Sequence, residues 1–387
     1  MEFSTSTAIT AVLCLVASSV SSVGGVGGGG MFVPILSIVA GLSLKTASGY
    51  STLMVTGGSF ANVLWSLFAS DKVVGRASIN YDIALLSEPC MLLGVSLGVI
   101  CNVAFPNWLI TAFFAAFLTW STIKTCGKGV VLWRQESQAS AEAFAEESSC
   151  CLKEPLIDTK TKQRACPWGK FAALIAIWAS FFFVYFLRGN KYGKGIIPME
   201  ACGLMYWLVL ALQVPLAAVF TAWMMIRKEN SHETEGGEEE GRESTRMKMI
   251  VPLMALVAGV LGGLFGIGGG ILISPFLLQL GMAPEVTSAT SSFMVFFSST
   301  MSALQYTLMG MEHVEFALGF ALVCFVGSFA GLAFGKRMIR KYGRASLIVF
   351  AVAAVLLFST VLMTTFESVG IWRDFINGKN MGFQLPC

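Results

Sequence analysis

The chain contains one glycine-rich element twice. Residues 25–34 and residues 266–275 both fit the pattern G-x-G-G-G-x(4)-P, and they are 241 residues apart. Other residues keep the same separation: Thr46 and Thr287, Ser51 and Ser292, Trp65 and Tyr306. A single glycine run arises easily by chance, whereas several correspondences in the same order indicate duplication. The sequence therefore predicts two copies of one unit.

Composition places these copies in a membrane. Of the 387 residues, 55% are hydrophobic and only 13% are charged, against about 25% charged residues in a typical soluble domain. This balance excludes a soluble enzyme, a disordered scaffold and a nucleic-acid binder. Several apolar stretches reach the roughly 20 residues that a helix needs to cross a bilayer. We predict an all-α, multi-pass membrane protein with about 10–12 membrane segments.

The distribution of apolar and polar stretches divides the chain into six parts. We expect a first transmembrane repeat (1–133), a cytosolic charged loop (134–168), two linking transmembrane helices (169–226), a cytosolic acidic loop (227–247), a second transmembrane repeat (248–364) and a C-terminal tail (365–387). The two polar segments lack apolar periodicity and are expected to be solvated, disordered loops. The first apolar run has no Lys or Arg before it, which favours a membrane helix over a cleaved signal peptide.

Positive charge predicts the orientation of the two copies. If each apolar stretch crosses once, 20 of the 26 Lys and Arg fall in loops on one side, including the cluster at 336–344. Positively charged loops face the cytosol. The first copy then begins outside and the second begins inside, so we expect inverted repeats.

The glycine elements are the best candidates for a binding site. Consecutive glycines followed by proline break a helix, and unwound backbone at membrane depth lines a cavity or lies buried in protein. The half-helix after each break offers free N–H groups and a positive dipole end to an anion. The alternative is that the glycines only let helices cross closely, which we adopt for Gly94, Gly98, Gly327 and Gly331. The candidate residues of the breaks are Gly25, Gly27, Gly28, Gly29, Pro34, Gly266, Gly268, Gly269, Gly270 and Pro275.

Polar side chains near the breaks extend the candidate site. The hydroxyls of Ser48, Ser51, Thr290, Ser291 and Ser292 are expected to donate to an oxyanion, although hydroxyls in helices also bond back to helix carbonyls. Glu88 is the only carboxylate well inside an apolar stretch, which makes it a candidate proton carrier. No sequence pattern typical of a catalytic, metal or cofactor site is present. The expected partners are a small anionic substrate, the lipid bilayer and coupling protons.

The paired elements Gly25–Pro34 and Gly266–Pro275, the hydroxyl-rich stretches after them and the long charged central loop resemble the sulfite exporter TauE/SafE family. Residues 22–34 and the run from Tyr81 to Leu86 with Pro89 are similar to its plant branch. The resemblance covers nearly all of residues 18–364. It implies a multi-pass transporter of small anions such as sulfite, organosulfonates or related sulfur oxyanions. A non-transporting scaffold or receptor that recruits partners through its charged loops is the alternative.

Overall fold

The computed structural model describes residues 5–23, 28–68, 79–146, 168–188, 204–232, 238–280, 282, 284–342, 346–376 and 382. All regular secondary structure in these ranges is helical. The helices are α1 (Thr5–Val23), α2 (Gly29–Ile38), α3 (Leu44–Phe68), α4 (Tyr81–Ala104), α5 (Asn107–Glu146), α6 (Trp168–Arg188), α7 (Leu204–Ala211), α8 (Gln213–His232), α9 (Glu238–Phe265), α10 (Gly270–Gln279), α11 (Pro284–Leu308), α12 (Val314–Tyr342) and α13 (Ser346–Ile376).

Six helical segments in the described ranges are long and apolar enough to cross a membrane: Thr5–Ser22, Tyr81–Ala104, Asn107–Val131, Gly169–Leu187, Trp207–Ile226 and Val314–Gly335. The predicted all-α, multi-pass membrane fold is confirmed. Helices α3 and α11 are not among the six, because many of their positions carry Ser or Thr. They lie in the interior, where α3 packs against both α11 and α12.

Each glycine element interrupts a helix, as predicted. The backbone of Gly28 has φ 77° immediately before α2, and that of Gly269 has φ 73° immediately before α10. Only glycine enters this left-handed region at low cost. Each following helix has ten residues and is roughly 15 Å long, so neither crosses a bilayer of about 30 Å alone. Gly25 and Gly27 lie outside the described residues.

Both short helices run back along a neighbouring helix. The Ser6 hydroxyl near the start of α1 donates to the Val39 carbonyl just after α2 at 2.7 Å, so α1 and α2 are antiparallel. Helix α10 runs antiparallel to α11. The Ser298 hydroxyl donates to the Gly268 carbonyl just before α10 at 3.1 Å, and Ser274 further along α10 donates to Ser291 earlier on α11 at 3.0 Å. Helix α2 is therefore opposed to α1, and α10 is opposed to α11.

Helices of the two predicted repeats pack against each other. Helix α4 of the first copy packs along α9 of the second, and α12 of the second packs along α1 of the first. A Cβ atom added at Gly98 would lie 2.2 Å from the Val260 carbonyl oxygen, and one at Gly331 would lie 2.1 Å from that of Ser19. These glycines bring backbones into direct contact, which is the packing role expected for them.

Helices α3 and α11, which the predicted duplication aligns with each other, run antiparallel. Three contacts show the direction: an added Gly49 Cβ would lie 3.6 Å from the Tyr306 ring, Thr56 bonds Ser299 at 3.1 Å, and Asn62 bonds Ser292 at 3.3 Å. Residue numbers thus rise along α3 as they fall along α11. Inverted repeats remain a prediction, and this antiparallel pair supports it.

Three predicted polar regions are partly helical. Helix α5 continues to Glu146, α9 begins at Glu238, and α13 continues to Ile376. The expectation of loop is wrong for residues 134–146 and 238–247. Ala, Glu, Gln, Lys and Arg are strong helix formers, and they let these helices continue past their apolar portions.

The end of α5 and the start of α13 lie at the same face of the molecule. An added Cβ at Gly129 would lie 3.1 Å from the Phe350 ring, and the Trp133 ring centroid is 6.3 Å from that of Phe350. We therefore expect epitope tags inserted in the 134–168 segment and at residue 343 to be accessible from one side of the membrane. A tag at Gly310, between α11 and α12, is the control for the opposite side. Antibody binding before and after permeabilisation measures this, and tags on opposite sides would contradict the arrangement.

Candidate functional site

The two glycine breaks meet in the interior of the molecule. An added Cβ at Gly29 would lie 2.3 Å from the Ile267 Cα, and one at Gly30 would lie 2.8 Å from Cδ1 of Ile271. Since Gly30 and Ile271 are the second residues of α2 and α10, the first turns of both half-helices are in contact. Two positive helix ends are thereby brought together.

The backbone at the two helix starts has the same hydrogen bonds. The Gly28 carbonyl accepts from the N–H groups of Met31 and Phe32, and the Gly269 carbonyl accepts from those of Leu272 and Ile273. The first N–H groups of a helix have no intrahelical acceptor, so both starts retain donors. These donors lie where the two copies touch.

Proline follows each start inside the helix. Pro34 is the sixth residue of α2 and Pro275 the sixth of α10. Proline has no N–H, so the carbonyls of Gly30 and Ile271 lose their usual helical partners. Each half-helix therefore has polar backbone beyond its first residues.

The predicted hydroxyls mainly brace the breaks and the neighbouring helices. Ser51 donates to the Gly266 carbonyl at 2.7 Å and thereby ties α3 to the second break. Ser48 bonds back to the Leu44 carbonyl at 2.9 Å, which is the alternative role considered for these hydroxyls. Thr290 accepts from the backbone N–H of Asn80 at 2.9 Å, just before α4 begins. Ser291 and Ser292 accept bonds from Ser274 and Asn62.

Glu88 lies on α4 with no exposed surface. Neither of its carboxylate oxygens has a hydrogen-bond partner among the described residues. One turn further along α4, the Cε of Met91 would lie 2.9 Å from a Cβ added at Gly269. Helix α4 also packs against α9 and α11, which flank the second break. The turn of α4 that follows Glu88 thus contacts the second glycine element.

One face of α11 contains polar residues that were not predicted as site residues. Ser298 bonds the Gly268 carbonyl, and the Tyr306 hydroxyl bonds the Gly263 carbonyl at 2.8 Å. Ser302 and Gln305 lie between these two attachments and are buried. Ser298, Ser302 and Gln305 follow each other at spacings of four and three, so they share a helix face. That periodicity was the available sequence signal.

Comparison with known proteins gives one consistent family. A sequence profile described as "Sulfite exporter TauE/SafE" matches residues 2–125 and 171–363. The chain is 52% identical to "Sulfite exporter TauE/SafE family protein 2" and 49% identical to "Sulfite exporter TauE/SafE family protein 5", both of Arabidopsis thaliana, over 100% of this chain and 89% of each relative. "Probable membrane transporter protein YunE" of Bacillus subtilis is 40% identical over 23% of this chain and 33% of its own length. No solved structure matches the chain.

Proposed function

The chain belongs to the sulfite exporter TauE/SafE family, a membrane transporter family, and from this premise we propose that it is a secondary transporter of small sulfur-containing oxyanions such as sulfite or organosulfonates. The observation that carries the proposal is the contact between the first turns of α2 and α10. Broken helices at corresponding positions of two repeats are typical of the central sites of transporters. The names of the relatives support sulfite as a substrate to test first.

The two half-helix starts suit an anion better than a cation. Lys and Arg are absent from the middle of the apolar stretches, so positive potential near the breaks comes from helix dipoles and N–H donors. A neutral donor set binds an anion without the cost of burying an ammonium or guanidinium group. It also releases the anion more readily than a buried cation does, as transport requires.

Alternating access would come from relative motion of two interwoven bundles. One bundle contains α1, α2, α3 and α12, and the other contains α4, α9, α10 and α11. Within each bundle glycines bring backbones together, as at Gly57 against Ala321 and at Gly263 against Val95. Between the bundles α3 and α11 share side-chain bonds such as Thr56 with Ser299, and the backbones of the two bundles meet at the second break, where Gly266 lies against Ser48 and Ile267 against Gly29. Small sliding of packed helices is an established form of such domain motion.

Glu88 is the proposed proton carrier. Burying a carboxylate without a partner is costly, so the side chain is protonated while it is enclosed as observed. It would ionise when motion of the bundles admits water. Loading of the anion and protonation of Glu88 would then accompany each other, because the two together bring less net charge into the protein.

Purified protein in proteoliposomes tests the function. We expect protein-dependent, saturable uptake of labelled sulfite or an organosulfonate, and absence of flux across a broad anion panel would overturn the proposal. Flux that does not saturate would indicate a channel. Deletion of the 134–168 and 227–247 segments distinguishes the scaffold alternative, since a transporter retains flux and a scaffold loses its partners.

A further inference from the structure

Two polar side chains on α11 are buried beside the second break without full hydrogen bonding. Gln305 has no exposed surface and Ser302 has 1%. The Ser302 hydroxyl and the side-chain amide oxygen of Gln305 have no partner among the described residues. Leaving such a group unpaired in the interior costs about 1–3 kcal/mol. Two unpaired polar groups one helical turn apart indicate a site at which a polar ligand supplies the missing hydrogen bonds.

Neighbouring hydrogen bonds show that Ser302 and Gln305 lie next to the unwound backbone of the second break. Ser298, one turn before Ser302, is bonded to the Gly268 carbonyl, and Tyr306, one turn after it, is bonded to the Gly263 carbonyl. Ser302 therefore faces the stretch between Gly263 and Gly268. The Nε2 group of Gln305 donates to the Ser96 hydroxyl on α4 at 2.8 Å, which leaves the amide oxygen unpaired. The Val95 carbonyl lies 2.4 Å from an added Gly263 Cβ, so Ser96 also adjoins the end of α9.

The chemistry of these groups matches an oxyanion. The side-chain amide of Gln305 bonds Ser96 through Nε2, and a 180° rotation of the amide lets its oxygen accept from the Ser96 hydroxyl instead. With the oxygen toward the Ser96 hydroxyl, the NH₂ group offers two free donors. The Ser302 hydroxyl offers a third donor on the same helix face. Metal cations such as Mg²⁺ or Ca²⁺ require about six or more oxygen ligands, and this place does not supply them.

We propose that Ser302 and Gln305 form an anion subsite selective for singly charged oxyanions, such as hydrogen sulfite or an organosulfonate, over dianions such as sulfate. The assignment rests on the proposed transport function. Both donors are neutral, and the cost of dehydrating an ion grows with the square of its charge. Dipoles and neutral donors offset that cost for one charge and fail to offset it for two. Ser302 and Gln305 are thus specificity-determining residues.

Transport and binding by two variants test the subsite. Gln305→Leu and Ser302→Ala should each raise the KM for an organosulfonate about 10- to 100-fold, the loss expected for a hydrogen bond to a charged group. They should also reduce the preference for organosulfonate over sulfate. Thr300→Val is the matched control, because the Thr300 hydroxyl bonds back to the Phe296 carbonyl of its own helix. Its KM should stay within about twofold of the wild-type value.

Thermal unfolding in detergent separates binding from stability. Added organosulfonate should raise the unfolding temperature of the wild type and of Thr300→Val, and should have little effect on Gln305→Leu or Ser302→Ala. An unchanged KM and an unchanged anion-dependent shift in both site variants would overturn the subsite alone. If the wild type moves no anion, the transport proposal fails, and the thermal shift still decides whether Ser302 and Gln305 bind one.

Discussion

Gly269→Leu should lower anion flux by about 100-fold or more while the protein still inserts in the membrane. Gly269 has φ 73°, and its added Cβ would lie 2.7 Å from the Ala258 carbonyl oxygen. A left-handed backbone costs a residue with a side chain about 1–2 kcal/mol, and overpacking adds about 1–3 kcal/mol. Because each 1.4 kcal/mol is a factor of ten, the start of α10 leaves its binding geometry in most molecules. Initial flux in proteoliposomes measures the effect.

Gly319→Leu is the control for a larger residue on a helix. No atom lies within 4 Å of its added Cβ, and its φ is not in the left-handed region. Flux should therefore stay within about twofold of the wild-type value, and the elution volume of both variants should match that of the wild type. Wild-type flux in a well-folded Gly269→Leu protein would remove the glycine break from the site.

Glu88→Gln should abolish accumulation driven by a pH difference and leave downhill anion exchange in place. Glutamine keeps the shape of the buried side chain and removes the proton that it binds. One proton moved per anion supports about a tenfold concentration ratio for each pH unit, and the variant should give a ratio near one. Vesicles with a fixed pH difference and a labelled organosulfonate, whose charge is constant near neutral pH, measure this ratio.

Asp82→Asn controls for the loss of a carboxylate on the same helix. Asp82 lies at the start of α4, pairs with Lys170, and its side chain is 58% exposed. Its removal breaks a surface ion pair worth at most about 1 kcal/mol, so accumulation should persist. If Glu88→Gln accumulates anion as the wild type does, proton coupling through Glu88 is wrong.

The sequence predicted the helical membrane fold and the position of each break, because glycine runs and proline act on the backbone locally. The constant spacing of 241 residues is the sequence evidence for the predicted duplication. The sequence did not reveal that α4, in the first predicted repeat, packs along α9, in the second. That choice depends on close backbone contacts at Gly94 and Gly98, and the same small-residue pattern would serve any neighbouring helix.

The candidate site was predictable in its backbone and less so in its side chains. Ser51 and Ser298 bond break carbonyls, whereas Ser48 bonds its own helix, and the sequence presents all three as serines in hydroxyl-rich stretches. Which of these serines points at a break carbonyl depends on how each helix is rotated about its axis, and the sequence does not give that rotation. The sequence did not identify Gln305 as a site residue, because a single glutamine forms no recognisable motif. Its proposed role also depends on Ser96, which is 209 residues away in the chain.

Packing between helices of the two predicted repeats has a consequence for biosynthesis. Ser18 on α1 donates to the carbonyl of Cys324 on α12, 306 residues later in the chain. At about 5–20 residues per second, a ribosome needs roughly 15–60 s to supply that partner. Until then the bond from Ser18 to α12 cannot form, whereas Ser19 already has a partner in the Leu15 carbonyl of its own helix. A chain that ends before α12 therefore lacks the helix against which α1 packs most extensively.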